Sequence, residues 1–219
     1  MINKKLLYGL FISSFIFIFF SLYLMLYKAP TEISMGEIQK IFYFHVASAI
    51  ISYFQFFLVF TSSLIYLNNK NIFVDFFARA SAEVGFLLST IVLVTGVIWA
   101  KPIWNVWFNW EPRLVSFLLI WLIFLVYHII RFFTVAHQAR IQSAILGIIA
   151  CLLIPIMIFS IKVLPLFQQL HPVVIENAGL TKQMSLILLL TTFSMLIFSI
   201  LLTYFKYCIY KLNWIAKYD

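Results

Sequence analysis

Six uninterrupted apolar stretches, at about 6–27, 41–67, 80–98, 114–133, 143–161 and 184–205, constrain this chain more than any other feature. A helix rises about 1.5 Å per residue, so roughly 20 apolar residues cross the hydrocarbon of a bilayer, and every stretch approaches or exceeds that length. Barrel strands are a poor match, because the apolar residues run continuously instead of alternating with polar ones. The expected fold class is an all-α integral membrane protein with six transmembrane helices, built as one domain over residues 1–219. Composition agrees: 64% of the residues are hydrophobic and 10% charged, where soluble domains have about half and about a quarter. Lys4 and Lys5 precede the first stretch as in a signal peptide. That stretch is too long for a signal segment and has no small-residue cleavage site, so it reads as a retained first span.

The formal net charge is +8, but the basic residues stand in ones and twos at the ends of apolar runs. This argues for membrane topology and against nucleic acid as a partner. With both termini cytoplasmic, the inner side carries nine basic residues (Lys4, Lys5, Lys70, Arg79, Arg131, Arg140, Lys206, Lys211 and Lys217). The outer side carries six (Lys28, Lys40, Lys101, Arg113, Lys162 and Lys182), so the bias has the expected sign. Links at about 28–40, 99–113 and 162–183 then lie outside, and short polar links at about 68–79 and 134–142 lie inside. Cys151 and Cys208 suggest neither a disulfide framework nor a metal site, and no C-x-x-C-H is present for covalent haem. No Gly-rich nucleotide loop, soluble domain or internal repeat occurs, so the outer links are where chemistry is sought.

The second outer link carries WAKPIWNVWFNWEPR, with four of the six tryptophans of the chain: Trp99, Trp104, Trp107 and Trp110. The last three recur at every third residue. A short helix starting at Pro102 would align them on one face, next to Glu111 and Arg113. Such a surface suits a large, flat, apolar ligand with acidic edges; an interfacial aromatic belt is the simpler alternative. His45 lies just inside the outer end of the second span, in IFYFHVASA, where an imidazole is costly without a partner. His171 lies in the third outer link, in FQQLHPVV. Two neutral imidazoles on one side of a membrane can ligate a haem iron axially, and Arg113 or Lys101 can meet a propionate. His128 and His137 fall toward the inner face and read as structural, as does Glu83 with Arg79 one turn before it.

WAKPIWNVWFNWEPRL resembles the tryptophan-rich signature of the haem-handling proteins of cytochrome c maturation, matching it at Trp99, Lys101, Pro102, Trp104, Trp107, Trp110, Arg113 and Leu114. IFYFHV around His45 and QLH at His171 are similar to the two outer histidine motifs of those proteins. Size and span number resemble the haem exporter protein C (CcmC) branch. Ala100 and Asn105 stand where glycines are usual, Glu111 where aspartate is usual, and Pro172 follows the second histidine.

The resemblance implies non-covalent, b-type haem held at the outer face by His45 and His171 as axial ligands. Trp99, Trp104, Trp107, Trp110, Glu111 and Arg113 would make the surrounding contacts. It further implies delivery to a periplasmic haem chaperone, CcmE, assisted by ATP-binding transporter components and a small membrane subunit. The expected protein is a haem-presenting platform rather than an enzyme, in a bacterial inner membrane or, if organelle-encoded, a mitochondrial one. The competing reading is a membrane-anchored b-type electron-transfer subunit, which would keep its haem and cycle it between redox states.

Overall fold

Helices that mostly overrun the apolar stretches build the chain. The structure, a computed structural model, describes residues 4–31, 35–163 and 180–218. The helices are α1 (Lys4–Tyr23), α2 (Ile41–Asn69), α3 (Ile72–Trp104), α4 (Pro112–Phe133), α5 (Ala136–Val163) and α6 (Lys182–Tyr218). A turn of π-helix at Leu24–Lys28 extends α1, and a 3₁₀ turn at Glu37–Lys40 leads into α2. Six helical segments are long and apolar enough to cross a membrane, and no strand occurs among the described residues. A bilayer offers the backbone no water, so each span satisfies its N–H and C=O groups internally, and the helix does this with any apolar sequence.

The two links expected on the inner side are shorter than expected. Only Lys70 and Asn71 separate α2 from α3, and only Thr134 and Val135 separate α4 from α5. The fall in hydropathy at about 68–79 and 134–142 marks where a helix leaves the hydrocarbon, not where it ends. Local polar groups hold the first of these corners. Lys70 takes a left-handed φ of 57°, and the Asn71 side chain accepts the Phe73 N–H at 2.9 Å, capping α3.

Contacts divide the chain into two compact units. The first comprises Met1–Ile51, Ile91–Phe108 and Leu170–Leu201. Its core packs Met25, Phe42, Tyr43, Trp99, Met184, Ile187 and Leu188. Polar ties cross it: Ser21 to Ser194 at 2.8 Å, Lys40 Nζ to the Leu26 carbonyl at 2.6 Å, and Gln183 Nε2 to the Lys28 carbonyl at 2.8 Å. They join the end of α1 and its π-helical turn to the lead-in of α2 and to α6.

The second unit comprises Ser52–Thr90, Asn109–Gln169 and Leu202–Asp219. Phe56 stacks on Phe124 at 3.9 Å, close to Gly85, where a Cβ would come within 2.7 Å of the Phe56 ring. Several of its ionisable groups are paired. Asp75 and Arg131 form a buried ion pair. Glu83 meets Lys206 at 2.5 Å, the expected Arg79 at 3.3 Å, and the Tyr210 hydroxyl. His128 packs edge-on against Phe86, and His137 is exposed at the start of α5.

Candidate functional site

The site is built from the first turn of α2 and the last turns of α3, both in the first unit. His45 projects from α2 with only 7% of its surface exposed. Its Nδ1 lies 3.0 Å from Thr95 Oγ1 of α3. Thr95 Oγ1 in turn lies 2.7 Å from the Ile91 carbonyl and 3.3 Å from that of Val92. Gly96 brings the α3 backbone against the imidazole: a Cβ there would sit 3.2 Å from His45 Cε1. Trp99, one turn beyond Thr95 on the same face, meets the imidazole edge-on at 5.8 Å between centroids. Phe42 packs against Trp99 at 6.2 Å.

The tryptophans do not form the expected face. Pro102 lies inside α3 instead of opening a helix; α3 ends at Trp104, and the chain is non-helical from 105 to 111. The helix-opening proline is Pro112, at the first turn of α4. Asn105 explains the stop. Its φ of 57° is left-handed, and its N–H closes on the Lys101 carbonyl at 3.0 Å, the usual way a helix terminates on Gly or Asn. Asn105 thus does the conformational work that glycine does at such ends, being one of the few side chains that tolerate this region. Lys101 Nζ donates to Asn105 Oδ1 at 2.9 Å and to its carbonyl at 3.2 Å. The same ammonium lies 5.6 Å from the Trp107 ring centroid. Ala100 is buried in α3, in regular helix where nothing demands glycine.

These constraints sort the tryptophans by depth. Trp99 is 2% exposed and meets the half-buried Trp104 at 6.0 Å. Trp107 is 62% and Trp110 74% exposed. His45, Trp99 and Trp104 therefore form one contact series, to which Trp107 is tethered through Lys101. Trp110, Glu111 and Arg113 belong to the second unit. There Glu111 is buried at the N-cap position of α4 with extended backbone, its carbonyl accepting the Val115 N–H at 3.0 Å. Arg113 is half-buried in the first turn of α4. His171 lies outside the described residues.

Thr95 and Gly96 escaped the sequence reading. Their signal was positional: they precede Trp99 by one helical turn, so the residue facing a buried histidine brings them with it.

Six helices long and apolar enough to cross a membrane define a multi-pass membrane protein, here with a buried histidine beside a tryptophan-rich turn. Residues 1–214 match the family described as Heme exporter protein C, and the chain belongs to that family. It is 35% identical over 101 residues, 46% of this chain and 42% of the relative, to heme exporter protein C of Paracoccus denitrificans (strain Pd 1222). Over 137 residues, 61% of this chain and 55% of the relative, it is 30% identical to heme exporter protein C of Escherichia coli (strain K12). A ccmC-like mitochondrial protein of cytochrome c biosynthesis from Marchantia polymorpha is 33% identical over 105 residues, 48% of this chain and 46% of the relative. The chain thus spans about half the length of the curated relatives it matches.

Proposed function

We propose that this chain binds haem non-covalently, as a b-type ligand, and presents it at the outer face of a membrane for c-type cytochrome biogenesis. His45 and His171 are the axial ligands. Trp99 and Trp104 line the approach to His45, Trp107 and Trp110 each offer an exposed indole, and Arg113 and Glu111 are further polar contacts of the haem. The recipient is a periplasmic haem chaperone of the CcmE kind, with ATP-binding transporter components and a small membrane subunit as further partners. The protein is a platform that holds and hands over haem, and it forms no thioether bond itself. Both termini are cytoplasmic, in a bacterial inner membrane or its mitochondrial counterpart, and the six helices act as one domain.

One observation carries this reading: an imidazole buried one turn inside a span, its ring walled by Trp99 and tied to a neighbouring helix by Thr95. Ionisable groups at such depth are costly and persist where they meet a ligand or a partner. The donor set suits haem, since imidazole ligates iron and broad apolar rings pack on the macrocycle.

Absorption spectra of the purified protein and of His45→Ala and His171→Ala test it. The wild type is expected to carry haem with bis-histidine character, and each variant to lose most of it. Unchanged haem content and spectrum in both variants would sink the ligand assignment. Haem that stays through repeated redox cycles without passing to a chaperone would favour an electron-transfer subunit instead.

A further inference from the structure

We propose that Thr95 selects the tautomer of His45 and so decides which ring nitrogen can reach a metal. A threonine hydroxyl has a single proton to give. That of Thr95 points along its own helix, with Oγ1 at 2.7 Å from the Ile91 carbonyl. A carbonyl only accepts, so the proton is committed there, as in the common back-bond of a helical threonine. Toward His45 Nδ1, at 3.0 Å, Oγ1 has no second proton and acts as an acceptor. Nδ1 therefore carries the N–H, and in the neutral imidazole Nε2 carries the lone pair.

The result is the arrangement by which proteins prepare a histidine for metal: one ring nitrogen donates to a fixed acceptor, which holds the ring and makes the other nitrogen the base. Two α3 neighbours of Thr95 reinforce it. Gly96 leaves room for the ring edge, since a Cβ there would press on Cε1 at 3.2 Å. Trp99 meets the ring edge-on, with an interplanar angle of 61°. Three residues of α3 thus act on the proton, the position and the orientation of one residue of α2. Thr95 touches the histidine and not the ligand, so it is a positioning residue. Its functional role rests on the reading of His45 as an iron ligand; the tautomer itself does not.

The test uses the full chain in detergent micelles, with ¹⁵N-labelled histidine imidazoles and the His45 signals assigned by their loss in His45→Gln. Haem-free wild type is expected to show His45 protonated at Nδ1. Thr95→Val keeps the β-branched shape but removes the acceptor, and is expected to lose that preference. Its haem Kd should rise about tenfold or more, the usual cost of removing such an outer partner. Thr95→Ser is expected to restore both tautomer and affinity, which a purely structural role for the threonine methyl would not allow. Retention of the Nδ1–H form in Thr95→Val overturns the proposal whatever the haem does. Unchanged haem affinity in Thr95→Val, alongside lost binding in His45→Gln, overturns the role of Thr95 while leaving His45 as a ligand. Unchanged haem binding in His45→Gln overturns the ligand reading, and the functional half of the proposal with it.

Discussion

Trp99 and Trp107 come from one tryptophan-rich stretch and are the same side chain, yet they differ in almost everything that matters physically. Trp99 lies inside α3, buried in the core with Phe42, Tyr43 and Met184, and touches His45. Trp107 lies beyond the end of that helix, 62% exposed and contacted by the Lys101 ammonium. What separates them is the backbone between them. The left-handed Asn105 stops α3, so the indoles are divided between Trp99 and the half-buried Trp104 within the helix and the exposed Trp107 and Trp110 beyond it. A tryptophan motif of this kind combines two devices, one that builds the wall of the histidine site and one that offers a surface.

The largest effect that distinguishes them concerns stability. Trp99→Ala removes a fully packed indole from the first unit and is expected to cost about 3–5 kcal/mol, seen as a large fall in the detergent melting temperature. Haem content should fall with it, because the ring of His45 loses its wall. A melting temperature equal to wild type would place Trp99 with the exposed tryptophans and erase the distinction.

Much of this architecture was legible beforehand, and the misses have a common cause. The spans could be read because a bilayer demands about 20 apolar residues wherever it is crossed. The Glu83–Arg79 pair could be read because helical spacing brings residues four apart together. Lys206 and Tyr210, which share Glu83, are distant in sequence and could not. The polar corners were misjudged because Asn69, Asn71 and Thr134 lower hydropathy without ending a helix any sooner than two residues require. Pro102 pointed to the wrong helix start, since proline fits the first turn of a helix but also survives near the end of a long span. His45 stood out by chemistry. Thr95 did not, because a threonine in a span looks like any other small residue until the helix opposite is known.

A middle-sized effect tests the turn that creates the comparison. Asn105→Val forces a β-branched residue into left-handed backbone and is expected to cost about 1–2 kcal/mol. Asn105→Gly should stay within about 0.5 kcal/mol of wild type, since glycine adopts this conformation freely. Equal stability of both variants, measured by thermal unfolding, would mean that the turn is not what ends α3.

Smaller still is the effect of Gly96→Ala. Alanine favours the helix by about 1 kcal/mol, yet its methyl must displace the His45 ring by a few tenths of an ångström. The melting temperature is expected to hold or rise slightly while haem affinity falls severalfold. A gain in stability with unchanged affinity would show that the ring has slack and that α3 does not fix its position.

Least of all should the fold notice the exposed pair. Trp107→Leu and Trp110→Leu change side chains that contribute little to the core, and their combined effect on stability should stay within about 0.5 kcal/mol per site. The consequence is expected in docking. An exposed tryptophan pair that anchors a partner is expected to contribute about 2 kcal/mol in all, so the double variant should need roughly thirtyfold more chaperone for half-maximal haem transfer. The haem spectrum of the double variant itself should stay as in wild type, because His45, Thr95 and Trp99 are untouched. Unchanged transfer would return Trp107 and Trp110 to the aromatic belt of the membrane interface. Lost haem with unchanged chaperone dependence would instead move them to the same side of the comparison as Trp99, as walls of the site rather than its outward face.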